Sequence, residues 1–255
     1  MSPSPLAVLT AAGSGTRLGC DGPKALVNVA GAPMVLRAAR ALAAAGVRGI
    51  VVTAPADRLD AFRALFPDER LPGGDAARVR VVAGSPRSRQ ASVALGCRAL
   101  DALARELGEE LTDDTTVLVH DAARCLTPVD AIRRVVDAVV PARPAVVPAI
   151  PVVDTLARID PDLAADGPRP ILGPADRREL IAVQTPQGFS WRVLRRAHEA
   201  GAGRSVSDAT AATDDAGLVA ALGIRVEAVA GDPLALKVTT PLDLDLATLL
   251  ADRAR

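Results

Sequence analysis

Tyrosine is absent from this chain of 255 residues, and three Phe and one Trp make up its whole aromatic content of 2%. So few rings leave no stacking platform for single-stranded nucleic acid, and they require a core built from aliphatic side chains. Net charge is missing as well, because 30 Lys and Arg balance 30 Asp and Glu and the basic residues are dispersed. Such a chain has no extended footprint for nucleic acid or an anionic membrane, so charge must act locally. Cysteine is scarce: Cys20, Cys97 and Cys125 are odd in number and show no Cys-x-x-Cys spacing, which argues against a disulfide framework or a zinc site and for reduced thiols. Long apolar runs are also lacking. The longest, Ala145 to Val153, is interrupted by Pro148 and Pro151 and is too short to cross a bilayer. Met1-Ser2-Pro3-Ser4-Pro5 puts no positive charge ahead of the first apolar run, so no secretory signal is expected and the protein reads as cytoplasmic.

What the chain does have is a glycine-rich turn directly behind a short apolar strand. Leu6-Ala7-Val8-Leu9-Thr10 reads as a buried parallel strand, and Ala11-Ala12-Gly13-Ser14-Gly15-Thr16-Arg17-Leu18-Gly19 follows, closed by Pro23-Lys24. Glycines let the backbone approach a ligand and turn N–H groups toward an anion, while Arg17 and Lys24 supply the matching charge. A polyphosphate is the expected ligand; a plain tight turn is the alternative. A dinucleotide fingerprint is excluded because the next strand, Ile50-Val51-Val52-Thr53, ends without the acidic residue that holds a ribose. A Walker A loop is excluded because Gly19 is followed by Cys20-Asp21 rather than Lys-Ser/Thr.

The length suits one large α/β unit over 1–255. A helix opening at Pro33 and stopping at Gly46 precedes the Ile50–Thr53 strand, and a helix over Asp57–Phe66 follows it. Val79–Val82 is a strand, Ser88 to Leu107 a long helix, Thr116–Asp121 a strand and Pro128–Val140 a helix. This alternation of aliphatic strands with helices predicts a Rossmann-like, mostly parallel, doubly wound sheet with helices on both faces. Ligands of such sheets bind outside the carboxyl ends of the strands, where the glycine loop, Gly84-Ser85 and Asp121 all fall. After the strand Ala145–Ala149, residues 151–184 are proline-rich with β-like pieces at Asp154–Ile159 and Leu180–Val183. They read as a projecting β-arm that packs on a second copy of the chain, or else as a flexible loop. Trp191–Ala200 and Asp208–Leu222 are expected helices and Ile224–Val229 a strand; Leu242, Leu246, Leu249 and Leu250 predict the apolar face of a last helix.

Asp121 closes its strand inside His120-Asp121-Ala122-Ala123-Arg124. A carboxylate there is costly to bury unless it meets a base or a metal, and Mg²⁺ is commonly held by one or two carboxylates together with phosphates. A turn cap or a pair with Arg124 is the plainer reading. His120 reads as structural, since alternate residues of a strand point to opposite faces. Lys237, in a short apolar run, reads either as an edge lysine turned to solvent or as a functional cation.

The loop with its Pro-Lys resembles nucleotidyltransferases that activate sugar or polyol phosphates. Adding Arg-Gln-x-Ser-Val (Arg89 to Val93), His-Asp-Ala-Ala-Arg, Thr-Pro-Gln (Thr185 to Gln187), Thr-Asp-Asp-Ala (Thr213 to Ala216) and Lys-Val-Thr-x-Pro-x-Asp-Leu (Lys237 to Leu244), in that order, the chain is similar to the 2-C-methyl-D-erythritol 4-phosphate cytidylyltransferase family over nearly its whole length. The resemblance implies that Ala11, Ala12 and Gly13 with Gly84, Ser85 and Ser92 surround the cytidine of CTP, and that Arg17, Lys24 and Lys237 act on the triphosphate. It implies that Asp121 serves Mg²⁺ and the polyol, that Arg124 and Thr213 line the polyol phosphate pocket, and that Thr155 and Arg177 reach in from the arm of a homodimer partner. In-line attack of a phosphate oxygen on the α-phosphorus of CTP would release pyrophosphate without a covalent intermediate. The family's usual Asn two residues before the late lysine is Ala235 here, where Asp232 could compensate, and Cys125 replaces a usual Pro. Cytidylyl transfer to ribitol 5-phosphate and a catalytically silent nucleotide-binding regulator are the competing readings.

Overall fold

The structure, a computed structural model, describes residues 3–13, 15, 18–19, 22–73, 77–160, 167–205, 207 and 211–253. β1 (Leu6–Thr10) opens the chain, and a small hairpin of β2 (Asn28–Val29) and β3 (Ala32–Pro33) leads into α1 (Met34–Ala44). β4 (Gly49–Ala54), α2 (Leu59–Arg63), β5 (Arg78–Ala83), α3 (Arg89–Glu106), β6 (Thr116–Asp121), α4 (Val129–Ala138) and β7 (Ala145–Pro151) then alternate. β8 (Ala157–Ile159) and β9 (Ile171–Pro174) pair as an antiparallel hairpin, followed by β10 (Ile181–Val183) and β11 (Gln187–Ser190). α5 (Trp191–Ala200), α6 (Asp215–Ala220), β12 (Glu227–Ala230) and α7 (Pro241–Arg253) complete the chain.

An eight-stranded sheet runs in the order β5, β4, β1, β6, β11, β7, with β10 and β12 also paired to β7. β5, β4, β1 and β6 are mutually parallel, β12 is parallel to β7, and β10 and β11 run against their neighbours. Successive side chains of β1 serve opposite layers, as the strand period requires. Ala7 and Leu9 pack in one core with Val35 and Leu42 of α1, Phe62 of α2 and Ile132 of α4. Leu6 and Val8 pack in the other with Val93, Leu100 and Leu103 of α3, Leu194 of α5 and Leu218 of α6. Helices therefore cover both faces, and the aliphatic composition is what fills them.

Parallel pairing continues past the strand ends and brings their loops together. The N–H of Ala11 donates to Thr53 O at 2.8 Å, that of Gly84 to Ala54 O at 2.7 Å and that of Ala122 to Thr10 O at 3.1 Å. The exits of β1, β5 and β6 thus share one rim. α3 starts there because the Ser88 hydroxyl accepts from the N–H of Ala91 at 3.1 Å, satisfying a donor that the first helical turn leaves unpaired.

Several expectations are corrected. The Leu180–Val183 piece belongs to the main sheet, because Ile181–Val183 pairs with Ala149–Pro151; the hairpin partner of the Asp154–Ile159 piece is Ile171–Pro174. β11 had no β-like signature, yet it is buried between β6 and β7, where position rather than propensity makes it a strand. The Asp57–Phe66 helix contracts to α2 behind a 3₁₀ turn at Ala56–Arg58. The helix expected over Asp208–Leu222 begins only at Asp215, because the Asp214 carboxylate accepts from the N–H of Gly217 and caps it; residues 208–210 lie outside the described residues. In α7 the leucines do not form the buried face. Ala247 and Ala251 do, against Val29, Met34, Cys125 and Val238, while Leu242, Leu246 and Leu249 are exposed. Small residues on the inner side let the helix sit close over this third cluster.

Candidate active site

At the shared rim lies a cavity of about 550 Å³, bordered by the glycine loop, the turn after β5, the start of α3, the end of β6 and the segment before α7. Backbone geometry shapes its floor. Gly15 has a φ of +72°, and a Cβ there would lie 2.6 Å from the Lys24 Cβ, so the turn and the lysine-bearing segment can touch only at glycine. Gly84 is as constrained, since a Cβ would meet the Ala12 Cβ at 2.6 Å and the Ser92 hydroxyl at 3.1 Å. Ser92 Oγ in turn accepts from the N–H of Ser85 at 3.0 Å and ties the β5 exit to α3.

Asp121 is the electrostatic centre. Its Oδ1 accepts from the Thr10 hydroxyl at 3.1 Å and from Arg89 Nε at 3.1 Å, and Lys237 Nζ lies 2.7 Å from its Oδ2. Burial alone would raise this carboxyl, but Arg89 and Lys237 outweigh it and hold it well below the usual carboxylate range. It is therefore ionised in the folded chain at neutral pH. Lys237 reaches it because the N–H of Val238 donates to Ala123 O at 2.9 Å, pinning the late segment to the turn after β6. The next residues are fixed by Asp243, whose Oδ2 accepts from Thr239 Oγ1 at 2.6 Å and from the N–H groups of Thr239 and Thr240, both at 2.8 Å. These bonds, that of the Thr239 hydroxyl foremost, push the Asp243 carboxyl down to about 2.

His120 and the Thr-Pro-Gln motif lie behind the carboxylate. The Thr185 hydroxyl accepts from the Asp121 N–H at 3.0 Å and contacts His120 Nδ1 at 2.9 Å. Burial pushes the His120 imidazole down to about 4, so it is neutral and structural. Gln187 donates from Nε2 to Asp214 at 2.8 Å and accepts from the N–H of Ala216, locking β11 to α6.

Of the residues singled out from sequence, Ala11, Ala12, Gly13, Lys24, Ser85, Ser92, Asp121 and Lys237 border the cavity. Gly84 stands behind its wall. Arg17 lies outside the described residues, as does Cys20; Cys97 and Cys125 are buried free thiols. Arg124 does not border the cavity. Its Nη1 donates to Ala235 O at 2.6 Å and its Nη2 to Val183 O at 3.4 Å, while its Nε is buried without a partner among the described residues. Thr213 is exposed ahead of α6, and Thr155 and Arg177 are exposed on the arm, where Arg177 Nη1 donates to Val153 O at 2.6 Å. Within one chain, none of these three is among the residues that border the cavity. Asp232 does not stand in for the missing Asn, because its carboxylate accepts from the N–H of Leu234 at 2.8 Å and caps a 3₁₀ turn.

Sequence reasoning left unassigned a chain of polar groups that begins at Asp121 and runs inward through Arg89, which itself borders the cavity. Arg89 Nη1 donates to Asp215 Oδ2 at 2.8 Å, and Asp215 Oδ1 lies 2.8 Å from His198 Nε2. Asp215 is 1% exposed; burial would raise its carboxyl, but Arg89 and His198 more than offset that and lower it. The signal available was Arg89 itself, a cation in the first turn of a helix where the macrodipole disfavours positive charge. Among the described residues no group of three or more His, Cys, Asp or Glu could form a protein-only metal cage.

Against known proteins, residues 6–253 match the family model for 2-C-methyl-D-erythritol 4-phosphate cytidylyltransferase. The enzyme of that name from Nocardia farcinica is 46% identical over 251 residues, covering 98% of this chain and 95% of that protein. The one from Streptomyces coelicolor is 45% identical over 250 residues, covering 98% and 85%. The crystal structure of the Thermus thermophilus enzyme superposes with a TM-score of 0.68 at 30% identity, covering 99% of this chain and all of that one. The chain belongs to the 2-C-methyl-D-erythritol 4-phosphate cytidylyltransferase family.

Proposed function

We propose that this chain transfers CMP from CTP to 2-C-methyl-D-erythritol 4-phosphate, giving 4-diphosphocytidyl-2-C-methyl-D-erythritol and pyrophosphate. The observation that carries this reading for the site is that Lys24, Lys237 and ionised Asp121, from distant parts of the sequence, border one cavity with the glycine loop. Its volume of about 550 Å³ is within the range of pockets that enclose small ligands. In the reaction a phosphate oxygen of the acceptor forms a bond to the α-phosphorus of CTP as the bond to the bridging oxygen of pyrophosphate breaks. That step needs positioning and charge rather than an enzyme nucleophile. Lys24 and Lys237 supply positive charge beside the triphosphate, joined by Arg17, and the backbone of Ala11, Ala12 and Gly13 lies against the nucleotide. Ser85 and Ser92 complete that wall.

Mg²⁺ fits as an ion carried on the triphosphate. Asp121 is a single ionised hard-oxygen ligand facing the cavity, which suits an ion whose other ligands are phosphate oxygens and water, and it would hold the ion once Lys237 turns to phosphate. Bound there, Mg²⁺ would neutralise charge on the phosphates.

Arg124, Thr213, Thr155 and Arg177 complete the acceptor pocket in a homodimer, the last two from the partner's arm. Support comes from the apolar surface that the arm exposes: Val153 is 79% exposed, Ile171 71% and Leu172 63%, more than a monomer ordinarily leaves to water in one region. The chain acts in the cytoplasm; no helix among the described residues is long and apolar enough to cross a membrane.

Pyrophosphate release from purified protein, CTP, Mg²⁺ and methylerythritol phosphate is the test. Turnover is expected with that acceptor. Turnover of ribitol 5-phosphate alone would overturn the acceptor, and no turnover of any polyol phosphate would overturn the activity.

A further inference from the structure

Arg89 is held by fewer contacts than its five donors allow. Among the described residues only Nε and Nη1 find carboxylates, a different one each, and Nη2 is buried without a partner. A guanidinium gripped at two points by two separate carboxylates keeps its orientation only while both are in place. One of them, Asp121, is in the cavity; the other, Asp215, is sealed in the protein and backed by His198 from α5. A buried chain of this kind adds little net stability over apolar packing of the same volume, so folding alone does not account for it. Neither Asp215 nor His198 borders the cavity that holds Asp121, so neither can touch the reacting groups there; His198 instead faces a separate hollow between α3 and α5.

We propose that Asp215 and His198 are positioning residues for the transfer reaction: through Arg89 they fix Oδ1 of Asp121 and so keep Oδ2 turned into the cavity. Thr10 alone would leave the carboxylate free to rotate about its Cβ–Cγ bond, so that Oδ2 would no longer be presented to the cavity in one direction. The Thr-Asp-Asp-Ala motif then has a divided task. Asp214 caps α6 and binds Gln187, which seats the helix, and Asp215 uses that seat to reach Arg89.

This rests on the proposed activity, so one measurement requires turnover and another does not. In steady-state pyrophosphate release, measured at a temperature at which circular dichroism shows the variant folded, Asp215→Asn is expected to lower kcat about tenfold with KM for CTP changed less than about twofold, because misplaced groups slow the step more than they weaken binding. His198→Ala should do likewise, and His198→Gln, which keeps a side-chain donor, should recover most of kcat. Adding Asp215→Asn to Arg89→Ala should cost nothing further, as expected of residues acting in one line. If Arg89→Ala does not fold, Arg89→Lys replaces it, since a single ammonium cannot grip both carboxylates in a fixed fork. Independent multiplicative losses, or an unchanged kcat in Asp215→Asn, would overturn the proposal. The second measurement uses the fact that the chain has two histidines. With His120→Gln to assign the spectrum, Asp121→Asn should move the His198 ring nitrogen resonances in the otherwise unchanged chain but not in the Arg89→Ala background. A His198 signal indifferent to Asp121 would overturn the relay whether or not the protein turns over, whereas absence of turnover in the parent alone would overturn only the functional reading.

Discussion

Lys237 Nζ lies 2.7 Å from Asp121 Oδ2, although Asp121 ends a central strand and Lys237 precedes the last helix. The pair exists because the N–H of Val238 is bonded to Ala123 O and because Asp243 gathers the Thr239 and Thr240 amides. An ammonium held beside the triphosphate matters most when charge shifts from the α-phosphorus toward the departing pyrophosphate. Lys237→Ala is therefore expected to lower kcat by about 10²-fold or more, with KM for CTP rising only a few-fold, as for removal of one charge-stabilising donor elsewhere. Equal losses in both parameters would reduce Lys237 to a ground-state binder.

His120 gives the protein a pH dependence whose sign can be worked out. Its folded-state pKa is pushed down to about 4, against about 6.5 unfolded, so the unfolded chain takes up the proton first. Stability from the neutral, buried ring is fully present above pH 6.5 and is lost as pH falls toward 4, by roughly 3 kcal/mol over that window. Asp121 adds to the loss only at the acid end of this window: its carboxyl stays ionised in the folded chain, while in the unfolded chain it begins to take up a proton as pH nears 4, which also favours unfolding. Urea unfolding at a series of pH values should show a steeper loss between pH 6.5 and 4 in the parent than in His120→Gln. Equal slopes would mean that the ring is not buried as a neutral group.

The glycine at the β5 exit offers a test of how tightly the nucleotide loop is set. A methyl group at position 84 would stand 2.6 Å from the Ala12 Cβ and 3.1 Å from the Ser92 hydroxyl, so Gly84→Ala must displace the Ala11 to Gly13 backbone or the start of α3. Overpacking of this kind costs about 1–3 kcal/mol of stability. The expected kinetic result is a raised KM for CTP with a smaller effect on kcat, measured by the same pyrophosphate assay. An unchanged KM would place the cytidine away from Ala12.

What was legible in the sequence, and what was not, follows from where each signal is encoded. β1, β4 and the body of β6 could be read because a strand buried on both faces is mostly aliphatic, and the edge strand β5 by its run of valines around Arg80; their loops could be placed on one rim because parallel pairing has only one polarity. β11 could not, since Gln187-Gly188-Phe189-Ser190 becomes a strand only between neighbours that supply its hydrogen bonds. The outward leucines of α7 misled for a related reason: helical periodicity marks an apolar stripe, but close packing over Val29 and Met34 selected the alanine side. In the site, Lys24 and Asp121 stood out as charges beside turns, whereas the spacing around Lys237 in its apolar run leaves its role open and only the resemblance assigns it. Asp215 and His198 did not stand out, because a buried side-chain contact between α5 and α6 leaves no periodic trace, and only the partners across space give it meaning.

The arm carries the last prediction. Thr155 and Arg177 are exposed within one chain, on a segment whose apolar residues Ile171, Leu172 and Val153 face water. If a second copy covers that surface and Arg177 enters the partner's cavity, each site takes Asp121 from one chain and Arg177 from the other. Arg177→Ala and Asp121→Ala chains are each expected to be inactive as homodimers. Co-expressed in equal amounts they form heterodimers for half of the population, and each heterodimer holds one site with both residues intact, so about a quarter of the parental activity should return. Sites built within single chains would give no recovery on mixing, because every chain would then carry its own defect. Sedimentation of the parent checks the premise: a monomer at micromolar concentration would leave the arm's apolar surface without a partner and remove Thr155 and Arg177 from the site.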